Sequence, residues 1–298
     1  MSLRVLQFGT TGQVGRELLR QAPAHDLALT ALSRAEADLS VPEGAARQVR
    51  AAKPDVVILA AAYTAVDQAE SEPGLAHEVN GEAPAAIAQA CAEVGAALVH
   101  FSTDYVFDGA KGAPYREDDV PRPLGVYGAS KLSGERMALA ANPRTLVLRA
   151  SWVVSAHGRN FLRTMLRLGR EGQPLRVVDD QYGRPTSAAD LAGVVLRIAP
   201  RLAAASAGDP AFGVFHFANA GETSWRGFAQ AILETAMGSA APHVQPIATA
   251  ERPAPARRPL RATLDTGKFE AVFAERPRPW RVAVDEIVAE LAAEAPAA

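Results

Sequence analysis

The chain has 298 residues, 48% of them hydrophobic, which is enough for a large α/β core or two unequal lobes and excludes a disordered polypeptide. Its 31 Lys and Arg against 33 Asp and Glu leave a formal charge of −2 with no basic run, so nucleic acid is not an expected partner. Cys91 is the single cysteine, which rules out an intramolecular disulfide and a multi-cysteine metal site.

The opening residues MSLRVLQFG run straight into a strand without a signal-peptide pattern, and no apolar stretch reaches bilayer length. The expectation is a soluble, cytoplasmic protein with no membrane partner. Through the first half, β-branched runs alternate with helical patterns, the signature of βαβ units and a parallel sheet. Strands are expected at RVLQFG, LALTAL, DVVILAA, ALVHFS and TLVLRA, with helices over 13–21, 42–52, 84–94 and 127–141. Pro84 suits a first helical turn. After Ala150 the rhythm loosens, with helices expected over 160–171, 188–198, 225–237 and 284–291. The tract ATAERPAPARRPL reads as a loop and the final AEAPAA as a frayed tail. The fold class is therefore α/β. A Rossmann-type doubly wound sheet occupies residues 1–150, joined by parts of 187–220, and a smaller substrate lobe occupies 151–298.

The first strand runs into GTTGQVG, where Gly9, Gly12 and Gly15 bracket Gln13 and Val14 ahead of a helix. Glycines there permit a tight turn and let backbone N–H groups and a helix N-terminus approach a pyrophosphate. The competing reading is a tight turn that binds nothing. The second strand ends in ALSRAEADLS, with Ser33 and Arg34 where NAD-selective sites carry an acid. An arginine can pair with a 2′-phosphate, so NADPH is expected, with NADH the alternative. Asp38 and Leu39 fall in the loop that would flank an adenine. Ala60, Ala61, Ala62 and Tyr63 follow the third strand, where small residues permit close approach of the cofactor.

The fourth strand ends at Ser102 and opens into Thr103, Asp104 and Tyr105, beyond the carboxyl end of the sheet where ligands bind. Downstream, GVYGASKLSGE places Tyr127 and Lys131 at i and i+4, one turn apart on a single helical face. A nearby ammonium lowers a tyrosine pKa, so this pair suits proton donation to an alkoxide formed as hydride arrives from a nicotinamide. Thr103 would bond the same carbonyl oxygen. His100, His157 and His216 lack metal-ligand spacing, His216 reads as a packed strand residue, and no catalytic metal is assigned.

The glycine turn, Thr103 and the Tyr127/Lys131 pair resemble the extended short-chain dehydrogenase/reductases. Within that group, FGTTGQVGREL, AAAYTAVDQAESEP, STDYVFDG, VYGASKLSGE and DDQYGRPTSAADLA are together similar to the dTDP-4-dehydrorhamnose reductase family, a likeness that covers nearly the whole chain. The resemblance implies reduction of the C4 ketone of a dTDP-linked 4-keto-6-deoxysugar. It makes Tyr127 the proton donor, Lys131 the holder of the nicotinamide ribose and Thr103 the polarising hydroxyl. It also brings Thr64, Val66, Asp104, Tyr105 and Trp152 near the sugar. Two positions depart from the family pattern. Val154 replaces a frequent tyrosine, and Ala189 stands where a second carboxylate would join Glu17 in a metal-bridged dimer. Mg²⁺ is accordingly not carried over, Glu17 reads as a helix surface charge, and a homodimer is left as an open expectation. Arg184 in GRPT and the Arg257/Arg258 pair are candidates for a diphosphate. The alternatives are a nucleotide-sugar epimerase or dehydratase, a reductase giving the other C4 epimer, or a non-catalytic cofactor-binding regulatory subunit.

Overall fold

The computed structural model describes residues 2–293, so the tail expected over AEAPAA falls outside the described residues beyond Ala293. The strands β1 (Leu3–Phe8), β2 (Leu27–Leu32), β3 (Val56–Leu59), β4 (Ala97–Thr103), β5 (Thr145–Ala150) and β6 (Gly213–His216) form one sheet in the order β6-β5-β4-β3-β1-β2. Every pairing in it is parallel. Both faces of such a sheet must be covered, which explains why β3 and β5 are buried along their whole length. On one face α2 (Pro42–Ala52), α3 (Ala83–Val94) and α4 (Val126–Ala141) pack in the first half of the chain. The other face is covered by α1 (Gln13–Gln21) and by the long α6 (Ala188–Ala204), whose Leu191, Val194 and Val195 join Val5, Ile58 and Leu146 in one core.

The remaining helices, α5 (Phe161–Arg170), α7 (Trp225–Met237), α8 (Gly267–Phe273) and α9 (Trp280–Ala293), come from the second half. Of these, α5, α7 and α9 enclose a separate apolar cluster with Leu162, Phe228, Ile232 and Trp280 at its centre. Short strand pairs cap this cluster, including Val153–Val154 with Thr186–Ser187 and Arg176–Val178 with Gln245–Ile247. Between β3 and α3 the chain makes two short helices, Val66–Ala69 and Pro73–His77, and a π-turn over Glu78–Glu82 that the apolar pattern did not reveal.

The chain order reverses between β1 and β3, and ligands of open α/β sheets bind at such a switch point. Beside it sits α4, whose inner face carries polar groups in place of an apolar stripe: Ser130, Lys131 and Glu135 are all buried. Glu135 is held by the Arg149 guanidinium at 2.6 Å and 2.9 Å, with both side chains no more than 3% exposed, and by the Ser102 hydroxyl. Arg149 reaches on to His216 Nε2 at 3.3 Å, and burial beside that cation pushes the imidazole down to about 3, so His216 is a neutral, packed strand residue. Removing one partner of a buried ion pair strands the other in the core. Glu135→Ala is therefore expected to lower the unfolding free energy in urea titration by about 3–5 kcal/mol. A Glu135→Leu/Arg149→Met double replacement should recover most of that loss.

Candidate active site

Gly9 leaves β1 at φ +92°, and a Cβ there would come within 2.9 Å of the Ala61 Cβ. A Cβ at Gly15 would lie 2.2 Å from the Gly9 carbonyl oxygen. These two glycines are demanded by the fold itself. Gly12, the N-cap of α1, is different: a Cβ there would meet nothing nearer than the Ala60 carbonyl oxygen at 4.0 Å. The absent side chain relieves no internal clash and instead opens space before the helix N-terminus, where a pyrophosphate is favoured. The residues of this turn thus fit a dinucleotide better than an empty tight turn. Gln13 is also a strut, donating to the Val153 carbonyl at 3.1 Å and accepting from Ser155 and Asn160 at 3.0 Å each, while Val14 packs on the core.

Beyond β2, Ser33 donates from its N–H and its hydroxyl to Glu36, at 2.8 Å and 2.7 Å. Arg34 is 80% exposed and pairs with Asp38 at 3.2 Å, leaving its guanidinium reachable from solvent. Asp38 also accepts from both groups of Ser40, which with Arg34 holds its carboxyl below the usual range. Leu39 was expected only as part of an adenine-flanking loop, but its side chain turns into the core against α2. Ala60, Ala61 and Ala62 continue past β3 to Tyr63, whose backbone N–H and C=O are both held by the Asn80 side chain at 2.9 Å. Thr64 is exposed just beyond.

At the end of β4 the Thr103 hydroxyl accepts from the Tyr105 N–H at 3.2 Å and lies 3.1 Å from Asp104 Oδ1. The ring of Tyr127 meets that of Tyr105 edge to face at 5.6 Å between centroids. Gly128 lets α4 ride against the Tyr105 carbonyl, which a Cβ would approach to 2.2 Å, and Glu70 receives the Val126 N–H at 2.8 Å at the helix start. Tyr127 therefore stands beside Thr103 over the crevice. Val66, Glu70, Leu124 and Arg257 complete the cleft wall around the two tyrosines.

Burial sets the protonation of this cluster. It pushes the Tyr127 hydroxyl up to about 12, against the stabilising effect of Thr103 on the phenolate. It pushes Asp104 up to about 7 and Lys131 down to about 8, the latter countered by Glu135. Tyr127 and Lys131 lie one turn apart on α4, but the expected lowering of the tyrosine by the ammonium is corrected: desolvation dominates, and Lys131 is not among the groups shifting it. A neutral phenol is the form that carries a proton to donate.

Several expected residues lie elsewhere or hold other tasks. Trp152 sits at φ +46° with its ring stacked 3.6 Å from that of Trp225 and against Gly183, within the aromatic cluster of the second half. Arg258 is tied to Asp67 at 2.8 Å, which also accepts the Ala256 N–H, so the proline-rich tract is fastened over the cleft. Its neighbour Arg257 is exposed at the cleft. Arg184 is half-buried, and its Nε makes no hydrogen bond among the described residues.

Glu17 is not the surface charge expected but is 1% exposed, bonded by Arg20 at 2.5 Å and Gln21 at 3.2 Å. Ligand atoms of Glu17, His157 and Glu290 lie within 4.8 Å of one another, a proximity invisible in sequence spacing. The group offers two carboxylates and one imidazole, whereas Mg²⁺ takes oxygen ligands, and Glu17 is already bonded by Arg20.

Comparison with known proteins bears on the same residues. A family model described as the RmlD substrate binding domain matches residues 3–293. A Burkholderia thailandensis protein named dTDP-4-dehydrorhamnose reductase is 45% identical over 296 residues, 97% of this chain and 99% of its own. The Escherichia coli K12 protein of the same name is 40% identical over 97% of this chain and 98% of its own. A crystal structure of the Bacillus anthracis dTDP-4-dehydrorhamnose reductase in complex with NADP superposes with a TM-score of 0.90 at 32% identity, covering 97% of this chain and all of that one.

The three glycines should separate by experiment. Gly12→Ala is expected to keep its melting temperature and weaken NADPH binding in calorimetric titration by about tenfold, or ~1.4 kcal/mol. Gly15→Ala should lower the melting temperature whether or not cofactor is present.

Proposed function

The chain belongs to the RmlD substrate binding domain family, and we propose that it reduces the C4 ketone of dTDP-4-dehydro-L-rhamnose with NADPH, giving dTDP-L-rhamnose. The observation that best supports this reading is that Tyr127 packs edge to face on Tyr105 and feels the Thr103 hydroxyl at the end of β4, near the turn that Gly12 leaves open. Two further observations support it: the name shared by full-length relatives, and the NADP held by the Bacillus anthracis structure. The carboxyl ends of β1, β3 and β4 form the cofactor side, and the second half of the chain, with the tract fastened by Arg258, forms the sugar side. The reaction belongs in the cytoplasm, where reduced cofactor is regenerated.

In this reading the α1 N-terminus with Gly12, Gln13 and Val14 receives the pyrophosphate, Arg34 the 2′-phosphate, and Lys131 the nicotinamide ribose. The reduced nicotinamide supplies hydride to the ketone carbon. Tyr127 keeps its proton at neutral pH and releases it only to a strong base, which is what the developing alkoxide is. Thr103 polarises the same oxygen, and the Tyr105 N–H fixes the orientation of that hydroxyl. Val66, Tyr105 and Arg257 line the cleft where the sugar nucleotide would enter, and Thr64, Asp104 and Arg184 are its remaining candidate partners.

Tyr127→Phe is expected to lower kcat by about 10²–10⁴-fold while leaving NADPH affinity unchanged in fluorescence titration. Near-normal turnover would reject Tyr127 as the proton donor. Arg34→Ala should raise the Kd for NADPH by about tenfold or more, the loss of a charge-assisted bond, and leave that for NADH unmoved.

A further inference from the structure

Thr103 has one hydroxyl hydrogen and two lone pairs, and its neighbours compete for all three. One lone pair accepts the Tyr105 N–H at 3.2 Å. The remaining contact is Asp104 Oδ1 at 3.1 Å, and both side chains are buried, Thr103 at 5% and Asp104 at 3% exposure. The direction of that bond depends on the state of the carboxyl. An ionised Asp104 can only accept, so it takes the single hydrogen of Thr103, leaving a free lone pair that faces the Tyr127 hydroxyl. Thr103 then has nothing to offer a ketone, and the proton of Tyr127 turns toward Thr103 instead of the substrate. A protonated Asp104 reverses both bonds: it donates to the second lone pair, frees the Thr103 hydrogen for the ketone oxygen, and leaves Tyr127 only that same oxygen to donate to.

We propose that Asp104 is a positioning residue whose protonated form sets the Thr103 and Tyr127 hydroxyls toward the ketone oxygen, so that the enzyme works with a neutral carboxylic acid at residue 104. This rests on the reductase reading above and adds to it a residue that acts through another. Burial is what favours the neutral acid, raising it to about 7. The other ionisable groups around the cluster are Tyr127 and Lys131 on α4, Tyr105 on the turn itself, and Arg258, which reaches Tyr105 from the proline-rich tract. Glu70 faces the same cleft from the Val66–Ala69 side. None of the cations is bonded to Asp104, whose hydrogen bonds come from Thr103 and the local backbone.

The sign follows from the active form being the protonated one. Activity should be full below the pKa of Asp104 and fall as pH rises through it, with a second fall where Lys131, lowered to about 8, loses its charge. The test is the pH dependence of kcat for the wild type and Asp104→Asn, with saturating NADPH and dTDP-4-dehydro-L-rhamnose. An asparagine amide donates to Thr103 at every pH. The expected result is that the fall near neutrality disappears in Asp104→Asn and only the Lys131 fall remains. An identical profile in both proteins would overturn the proposal.

A second measurement does not depend on the variant folding. Infrared titration of the wild-type protein with NADPH bound should show the carbonyl stretch of a protonated carboxylic acid that is lost as pH is raised from 6 to 9. Absence of that band at pH 6 would overturn the proposal. A wild type that binds NADPH but does not oxidise it with this sugar would defeat the reductase reading and leave the infrared result to decide the state of Asp104.

Discussion

The buried pair of Glu135 and Arg149 fixes the relation between the sheet and the helix that carries the chemistry. It joins the third turn of α4 to β5 directly and to β4 through Ser102, one residue before Thr103. Without it the polar inner face of α4 would have no reason to lie against a sheet made of Val, Leu and Ile. Two desolvated charges are a poor source of stability by themselves. Their geometry, with the guanidinium bonding both carboxylate oxygens and one of these also bonded by a hydroxyl, satisfies the groups and pins the register of the helix. Lys131, one turn earlier, inherits from Glu135 a counter-charge that offsets part of its own desolvation.

The same burial that makes the ion pair necessary makes the hydroxyl cluster useful. A tyrosine in water and one at the start of α4 differ in how tightly they hold a proton, and here desolvation raises the Tyr127 hydroxyl so that it is neutral at neutral pH. Burial also keeps Asp104 from behaving as an ordinary carboxylate. The cleft owes its cover to the tract closed by the Arg258–Asp67 ion pair.

Much of this was legible in the sequence, and the reasons are physical. A parallel strand buried on both faces reads as a continuous apolar run, so β5 coincides with TLVLRA, while the edge strand β2, half-buried and exposed by turns, still coincides with LALTAL. Helices with good periodicity, α1, α2 and α7, likewise begin and end where the pattern does. The region before α3 was missed because its short helices bury single alanines and leave no periodic stripe. The pattern also ended too early at Ile198, since α6 runs through Pro200 to Ala204.

At the site, the order of glycine turn, strand-end threonine and Tyr127/Lys131 was visible because each is set by local spacing. What spacing cannot carry is long-range juxtaposition. Arg149 finding Glu135, Gln13 reaching Ser155, and His157 meeting Glu17 join residues far apart in the chain through packing alone. The direction of the Tyr127 shift was misread for the same reason, since desolvation is a property of the surroundings and not of the residue four places on. The feature that would have flagged Glu135 is its position one turn beyond Lys131 on a helix otherwise built of small residues.

The central claim is a net reduction at one carbon of a nucleotide sugar. The measurement that tests it most directly is the stoichiometry of NADPH consumed against dTDP-4-dehydro-L-rhamnose converted, with the product identified by NMR. The account predicts one NADPH oxidised per sugar and dTDP-L-rhamnose as the product. A rearranged keto sugar formed with no net loss of NADPH would contradict it and place the chemistry with epimerases.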